Sequence, residues 1–297
     1  MNPPPFAPDA PWRIDRSRLA TLAERPARDW TIDIVDETGS TNADLMQQLR
    51  ALARDNPQHI APVVRVAYSQ TAGRGRRGRA WLAEPGNALL MSVGCIVKRP
   101  IEGLAGLSLA IGTVVLDALA RLPLTPSARP ALKWPNDVLL DDGKLAGILI
   151  ETAWNTPGAT AVVIGIGMNL HGAEQLAAQV DDASQRAASS APGAAPAALA
   201  RAWPSANLTD TLAALLNALD TALPRFEAEG FRPFRQRWID AHAWSGREVA
   251  LLDQGMELTR GIASGVDETG QLLIDTPEGP RAVATGELTL RLAKERP

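Results

Sequence analysis

The residues best suited to binding or catalysis in this sequence form one run of glycine and arginine, Gly73-Arg74-Gly75-Arg76-Arg77-Gly78-Arg79. Arginines packed so closely repel one another unless they face an anion. The glycines make the backbone adaptable, and guanidinium groups match the oxygens of carboxylates and phosphates. The run therefore favours an anion-binding loop over a solvated surface loop, which remains the alternative.

Two other interpretations of this run are less favoured. It satisfies the G-x-G-x-x-G pattern, but a dinucleotide site needs a helix directly after it, and here Trp81, Pro85 and Gly86 lead into another predicted strand. An RNA-binding loop is disfavoured because the run occurs once in a chain whose net charge is −3. Trp81, beside the arginines, is a candidate for stacking on a base.

A second candidate segment runs from Lys133 to Asp137 (KWPND) and is followed by the turn signal Asp142-Gly143. Its proline favours extended geometry at the preceding tryptophan, and Asp-Gly predicts a two-residue hairpin turn before Lys144. With that turn, Asp137 and Lys144 are about 13 Å apart along the strands, at about 3.3 Å per residue. Long side chains, a divalent ion and a phosphate chain could fill that gap. The alternatives are a turn carboxylate that caps backbone N–H groups and a solvated lysine.

Two further segments place polar groups beside apolar elements. Gly165, Gly167 and Asn169 alternate in the apolar run VVIGIGMN, so one face of a predicted strand is bare. Such a face admits a flat ligand, with the Asn169 amide at a purine edge, or a closely packed helix. Ser40-Thr41-Asn42 precedes a predicted helix and on its own indicates a helix cap.

Hydrophobic periodicity predicts the elements that position these residues. Strands are predicted at 31–38, Val63–Tyr68, Leu89–Val97, Leu132–Trp134, Val138–Leu140, Lys144–Thr152 and Ala161–Leu170. Helices are predicted around Asp15–Arg25, across Leu45, Leu49 and Leu52, over Leu104–Leu122, and from an N-cap at Thr209, with a kink or restart at Pro224.

The chain divides into three predicted parts. Residues 1–29 are proline-rich, 30–245 carry the candidate segments, and 246–297 form short strands. Turns at Gln254-Gly255, Thr269-Gly270 and Glu278-Gly279 predict a small antiparallel barrel in the last part. Residues 173–206, rich in Ala, Ser, Pro and Gln, are predicted to be a polar, loosely helical insertion without chemistry.

Composition narrows the class of protein. The chain has 297 residues, 45% hydrophobic and 21% charged, which excludes a mostly disordered chain. A single cysteine, Cys95, excludes an intramolecular disulfide, and the histidines His59, His171 and His242 have no metal-ligand spacing. Residues 1–11 lack the apolar core of a signal peptide, and no uninterrupted apolar run is long enough to span a bilayer. We expect a cytoplasmic protein.

Together these segments resemble the bacterial biotin protein ligases, also called biotin–acetyl-CoA-carboxylase ligases. The matching blocks, in the family's order, are ETGSTNADL, QTAGRGRRGRAW, LKWPNDVLLDDGKLAGILIE, VVIGIGMNL and GELTLR. The resemblance implies an α+β fold: a mixed-sheet catalytic domain related to class II synthetases and lipoate ligases, then a small SH3-like barrel. It implies that biotin and MgATP form biotinyl-5′-AMP. A lysine of the biotin carboxyl carrier protein of acetyl-CoA carboxylase then attacks the adenylate.

The same resemblance implies roles for individual residues. The candidate catalytic residues are Arg76, Lys144, Asp137 and Lys133. The candidate biotin-binding residues are Ser40, Thr41, Asn42, Gln70, Arg74, Gly75, Arg76, Lys144 and Gly147. The candidate ATP- or adenylate-binding residues are Arg74, Arg76, Arg79, Trp81, Asn136, Lys144, Asn169 and Arg291. Asp137 either binds Mg²⁺ or orients the acceptor lysine, and the arginine loop is expected to order over bound ligand.

Departures from the family and competing functions set further expectations. Bifunctional members carry an N-terminal winged helix, for which the 29 residues before Trp30, six of them proline, are too few. Specific DNA binding is therefore not expected, and both a monomer and a homodimer stay open. A lipoate or octanoate ligase on the same scaffold would favour an apolar pocket instead of Ser40, Thr41 and Gln70. A regulator or RNA-binding module using Arg74–Arg79 is the non-enzymatic alternative.

Overall fold

Residues 6–24, 27–52, 61–186, 194–253, 256–284 and 288–293 are described by the structure, which is a computed structural model. These residues form two β-sheets with helices packed around the first. The helices are α1 (Arg16–Leu22), α2 (Thr41–Leu52), α3 (Leu107–Leu119), α4 (Ala173–Arg186), α5 (Leu208–Glu229) and α6 (Arg232–Asp240).

The first sheet is mixed. Its strands are β1 (Thr31–Thr38), β2 (Val63–Gln70), β3 (Ala88–Val97), β4 (Pro130–Lys133), β5 (Asp137–Leu140), β6 (Gly143–Asn155) and β7 (Thr160–Asn169). They lie in the order β1-β2-β3-β7-β6-β5-β4. Only the pairing of β1 with β2 is parallel within this described sheet. The mixed sheet expected from the family resemblance is confirmed.

The two faces of this sheet carry separate cores because side chains alternate along a strand. Ala161 and Val163 pack with Leu45 and Leu49 of α2 on one face. Alternate residues of β7 belong to the larger core on the other face, which includes α3 and α5. The stretch Ile101–Leu119 is long and apolar enough to cross a membrane by composition. In the fold it supplies the helix α3, whose side chains are almost all buried against the sheet and α5.

The second sheet is antiparallel and lies at the C-terminal end. Its strands are β8 (Glu248–Asp253), β9 (Met256–Val266), β10 (Leu272–Thr276), β11 (Gly279–Val283) and β12 (Leu288–Leu292), in the order β11-β10-β9-β8-β12. The antiparallel strands predicted here are confirmed as one five-stranded sheet, and their closure into a barrel stays a prediction. The predicted turn at Gln254-Gly255 lies outside the described residues. Trp134 Nε1 donates to the carbonyl of Gly270 at 3.1 Å, which holds this sheet beside the KWPND segment.

Helix α5 begins two residues earlier than predicted, and of the kink or restart predicted at Pro224 the restart does not occur. Its N-cap is Asn207, whose Oδ1 accepts from the Asp210 N–H at 2.8 Å. Thr209 lies inside the helix, where its hydroxyl accepts from the Asp15 N–H at 3.0 Å. The helix continues through Pro224 and does not restart there. Burial of its apolar face compensates for the hydrogen bond that a proline removes.

The segment predicted to be a polar insertion contributes to the fold. Residues 173–186 form α4, but Ala197, Leu199 and Trp203 are buried in the main core. The Lys144 N–H donates to the carbonyl of Ala195 at 2.7 Å, and the Ala197 N–H donates to the carbonyl of Lys144 at 2.9 Å. The helical part of the prediction agrees with α4, but the segment is not polar throughout, and its low-complexity sequence conceals a short backbone pairing to β6.

The hairpin between β5 and β6 turns one residue earlier than predicted. Leu140 pairs with Gly143, so Asp141 and Asp142 are the central turn residues, with φ of 48° and 66°. Aspartate tolerates this left-handed conformation better than most residues do. A register shift between Val138 and Leu139 then places Asp137 opposite Gly147.

Candidate active site

One pocket collects most of the predicted site residues. It is lined by Ser40, Thr41, Asn42, Gln70, Arg74, Gly75, Arg76, Arg79, Trp81, Lys133, Asn136, Asp137, Lys144 and Gly147, together with Leu290 of β12. Asn169 and Arg291 are the predicted residues that do not line it. The pocket thus lies across the first sheet, under the arginine loop, and borders the second sheet.

One end of the pocket carries uncharged polar groups from the start of α2. The Thr41 N–H donates to Gln70 Oε1 at 2.8 Å. Asn42 Nδ2 donates to Glu151 Oε2 at 2.8 Å and lies 3.3 Å from the carbonyl of Leu149. The Thr41 and Asn42 side chains therefore bond to neighbouring strands, and the helix-cap interpretation does not describe them.

Two residues of this polar end were missed by sequence reasoning. Ser92 is fully buried in β3, and its Oγ lies 2.7 Å from Thr41 Oγ1 and 2.6 Å from Asn42 Oδ1. Glu151 in β6 also lies near Arg74, with Oε1 at 3.8 Å from a guanidinium nitrogen. Each is a single hydroxyl or carboxylate inside a run of otherwise apolar residues, and that pattern could have identified them. A buried polar group needs a hydrogen-bond partner, so it indicates a polar neighbour in the fold.

The arginine loop is a small hairpin closed by its own backbone. The Gly75 N–H donates to the Arg79 carbonyl at 2.7 Å, and the Trp81 N–H donates to the Gly73 carbonyl at 2.9 Å. A side chain at Gly73 would lie 2.7 Å from the Trp81 carbonyl oxygen, so glycine is required there. The run thus forms a hairpin loop that borders the pocket, and its binding of an anion stays a prediction.

Arg76 is the one half-buried arginine of this loop, whereas Arg74, Arg77 and Arg79 are exposed. Burial lowers the pKa of its guanidinium, the charge of Arg77 lowers it further, and Asp137 opposes both. Its Nη1 donates to Asn136 Oδ1 at 3.5 Å, a long hydrogen bond. Asn136 Nδ2 donates to the Ile148 carbonyl at 2.8 Å, which fixes the amide orientation. Arg76 therefore directs a desolvated positive charge into the pocket.

Asp137 contacts two lysines, which contradicts the predicted gap. Lys144 Nζ lies 2.7 Å from Asp137 Oδ1, and Lys133 Nζ lies 3.7 Å from Oδ2. The separation of about 13 Å along the strands assumed the wrong turn, and the long side chain of Lys144 spans the shorter distance that remains. Burial lowers the pKa of Lys133, and the charge of Asp137 opposes that shift.

These contacts leave Asp137 poorly suited to hold a metal ion alone. Both carboxylate oxygens face ammonium groups, which compete with a cation. Among the described residues, no group of three or more His, Cys, Asp or Glu side chains could hold a metal. The donor set instead presents positive charge, which suits the oxygens of a phosphate chain that brings its own Mg²⁺.

The bare glycine face is covered by side chains of this chain. Gly147 and Gly167 are directly paired on β6 and β7. A Cβ would lie 3.0 Å from the Trp81 ring at Gly147 and 2.5 Å from it at Gly167. A Cβ at Gly165 would collide with Asn42 Oδ1. Gly165 therefore admits the closely packed helix α2 through Asn42, as one of the two interpretations expected, whereas Gly147 and Gly167 admit the Trp81 ring of this chain. Lys144 Nζ lies 5.4 Å from the Trp81 ring centroid.

The two remaining predicted residues lie next to the pocket residues. Asn169 Nδ2 donates to the carbonyls of Lys144 and Ala197, at 3.2 and 3.1 Å, so it supports the backbone that carries Lys144. Arg291 follows the pocket residue Leu290 on β12. Burial lowers the pKa of Arg291, and the charge of Arg79 lowers it further, so these two guanidinium groups are close enough to interact.

Comparison with known proteins agrees with this geometry. Residues 45–169 match the biotin/lipoate A/B protein ligase family, and residues 244–291 match the biotin protein ligase C-terminal domain. The biotin–[acetyl-CoA-carboxylase] ligase of Mycobacterium tuberculosis is 36% identical over 285 residues, which cover 92% of this chain and 98% of that protein. The ligase of that name from Paracoccus denitrificans is 34% identical over 258 residues, covering 84% and 97%.

A solved structure has the same fold. The biotin protein ligase from Aquifex aeolicus in complex with biotin and ATP aligns with a TM-score of 0.66 and 26% identity, covering 89% of this chain and 99% of that one. The two sequence relatives match over nearly their whole length, and the family resemblance is thereby confirmed. The chain belongs to the biotin–[acetyl-CoA-carboxylase] ligase family.

Proposed function

We propose that this protein joins biotin to ATP as biotinyl-5′-AMP and then transfers biotin to a lysine of a biotin carboxyl carrier protein. The observation that carries the proposal is one pocket with two chemically different ends. Thr41, Asn42 and Gln70 present uncharged polar groups at one end, and Arg76, Lys133 and Lys144 present positive charge at the other. The uncharged ureido ring of biotin matches the uncharged end of the pocket. The biotin carboxylate and the triphosphate of ATP match the positively charged end.

In the first step a carboxylate oxygen of biotin attacks the α-phosphorus, an acyl–phosphate bond forms, and pyrophosphate leaves. Both reactants are anionic, so cations must neutralise them as they approach. In this proposal Lys144 on a strand supplies most of that charge, and Arg76 on the loop adds a smaller part and covers the product. Lys133 and Arg79, which line the pocket, hold the pyrophosphate that leaves, and Arg291, next to Leu290, assists them.

In the second step the amine of the acceptor lysine attacks the acyl carbonyl, an amide forms, and AMP leaves. The arginine loop lies over the pocket and can keep water from the adenylate until the acceptor arrives. In this proposal Mg²⁺ enters with ATP and is held by phosphate oxygens, because Asp137 is already engaged by Lys133 and Lys144. Asp137 then positions those lysines.

The partner and compartment follow from the same chemistry. The relatives are named for acetyl-CoA carboxylase, so we propose its carrier protein as the acceptor. Division into a catalytic part, 30–245, and a C-terminal part, 246–297, fits the junction between α6 and β8. We propose a cytoplasmic location, in which the buried thiol of Cys95 stays reduced.

Sequence-specific DNA binding is not part of the proposal. In the described residues ahead of β1, the only α-helix is the seven-residue α1. A gel-shift assay on the promoters of biotin genes should give only weak, salt-sensitive binding. A salt-resistant, sequence-specific shift would contradict this.

The decisive experiment is exchange of labelled pyrophosphate into ATP by the purified full chain. We expect exchange that requires both biotin and Mg²⁺. Lipoate and octanoate are the controls for the alternative ligase, because they lack a ureido group to match the polar end. Equal exchange with lipoate or octanoate, or none with biotin, would overturn the biotin assignment.

A further inference from the structure

A chain of hydrogen bonds leads from Glu151 to the polar end of the pocket. Asn42 Nδ2 lies 2.8 Å from Glu151 Oε2 and 3.3 Å from the Leu149 carbonyl oxygen. A carboxylate oxygen and a carbonyl oxygen only accept hydrogen bonds. The two N–H groups of the Asn42 amide therefore face these acceptors. Asn42 Oδ1 must then point the other way, toward Ser92.

Ser92 passes this orientation on to Thr41. Its single hydroxyl proton goes to Asn42 Oδ1, 2.6 Å away, because an amide oxygen cannot donate. Ser92 Oγ can then only accept in its contact with Thr41 Oγ1, at 2.7 Å. That short contact needs a proton, and Thr41 is the residue left to supply it.

The proton of Thr41 has one competing acceptor. Gln70 Oε1 lies 3.1 Å from Thr41 Oγ1, but it already accepts from the Thr41 N–H at 2.8 Å. If the hydroxyl proton of Thr41 points to Ser92, the shorter oxygen–oxygen contact, 2.7 Å, contains a hydrogen. Only the longer contact with Gln70 Oε1, 3.1 Å, is then left without one. The lone pairs of Thr41 Oγ1 remain for whatever occupies the pocket.

We propose that Ser92 and Glu151 are positioning residues that fix the Thr41 hydroxyl as a hydrogen-bond acceptor and so select ligands with a ring N–H donor. The proposal rests on biotin being the ligand, as argued above, and extends it to residues behind the pocket wall. A ureido ring offers N–H donors to such an acceptor. A dithiolane ring or an alkyl chain offers none, so it leaves the acceptor lone pairs of Thr41 Oγ1 desolvated and without a donor, which is costly.

The test is a double-mutant cycle on biotin affinity, measured by calorimetry on the full chain. Ser92→Ala should weaken biotin binding about fivefold and Thr41→Val about tenfold, as expected for the loss of one organised hydrogen bond. If Ser92 acts through Thr41, the double variant should match Thr41→Val alone within about twofold. The matched control is Thr160→Val, a buried hydroxyl on β7 that bonds the Arg99 carbonyl, and it should bind biotin as the wild type does.

A second ligand isolates the donor. A biotin methylated on its ureido nitrogens has no N–H to donate, so Ser92→Ala should leave its weak binding unchanged within about twofold. A fivefold loss with this analogue too, or a double variant about fiftyfold weaker than wild type, would mean that Ser92 acts independently of Thr41 and would overturn the relay. A wild-type chain that binds no biotin would instead overturn the proposed function together with the relay. Thermal melts of each variant distinguish lost affinity from lost folding.

Discussion

Nζ of Lys144 and Oδ1 of Asp137 lie 2.7 Å apart, across the β5–β6 hairpin. The contact joins residues on two antiparallel strands, and the backbone of Lys144 is also paired to Ala195 and Ala197. Lys144 is therefore held from both sides. A cation on such a rigid element is suited to stabilising charge that develops at a fixed point.

Lys144→Ala should slow adenylate formation about 10²–10³-fold, the usual cost of removing one electrostatic stabiliser of a transition state. The measurement is pyrophosphate release in a single turnover. Lys98→Ala, which removes an exposed lysine paired with Glu227, is the matched control and should be without effect. Wild-type rates in Lys144→Ala would remove this residue from the chemical step.

Asp137→Asn should shift the pH dependence of ATP use. The charge of Asp137 raises the pKa of Lys133 against the stronger lowering by burial, so its removal lowers that pKa further. Lys133 then loses its charge at a lower pH, and the KM for MgATP should begin to rise earlier as pH increases from 7 to 10. Extra Mg²⁺ should not restore the profile. Restoration by Mg²⁺ would instead identify Asp137 as a metal ligand.

Arg76→Gly should still form adenylate but release it. Arg76 lies between glycines on a loop, so its main contribution is expected to be covering the finished intermediate. The readout is biotin incorporation into a bystander protein, which should rise, alongside single-turnover pyrophosphate release. Arg129→Gly, in an exposed loop that does not line the pocket, is the control. Loss of adenylate formation in Arg76→Gly would contradict the assignment.

Gly167→Ala should weaken MgATP binding at least about tenfold, the equivalent of about 1.4 kcal/mol. A Cβ there would lie 2.5 Å from Trp81 Cε2, so the indole must leave its place on β6 and β7. Gly158→Ala, with no atom within 4 Å of the new Cβ, is the matched control. Unchanged affinity in Gly167→Ala would mean that the position of Trp81 does not matter for the nucleotide.

His242 should make the fold less stable in acid. It is buried against Trp238, neither ring nitrogen has a hydrogen-bond partner among the described residues, and burial lowers its pKa to about 4. The unfolded chain takes up a proton near pH 6.5 and the folded one only near pH 4, so stability falls as pH drops between them. From pH 7.5 to 5 the loss is about 2 kcal/mol.

His242→Phe should remove that part of the pH dependence while keeping the stacked ring. Urea unfolding of both proteins at pH 7.5 and 5 measures the difference. An equal loss of stability in the variant would assign the acid sensitivity to other groups.

The sequence alone determined the chemistry and most of the architecture. Arginines between glycines favour an anion whatever fold carries them, and alternating or helical apolar periods predict strands and helices because burial acts on local faces. Local patterns gave the C-terminal antiparallel strands and the arginine loop, and the ordered motifs gave the family resemblance. The mixed sheet and the site roles of Ser40, Thr41, Gln70, Arg76 and Lys144 followed from that resemblance.

Tertiary structure decided which of these groups touch. A one-residue change in the turn at Asp141 and a register shift brought Asp137 to Lys144. The side chains of Trp81 and Asn42, from distant segments of the chain, pack on the glycine face. Ser92 and Glu151 contact site residues from β3 and β6, strands whose sequences are mostly apolar. These contacts depend on packing between elements far apart in the chain, so no local pattern of residue types encodes them.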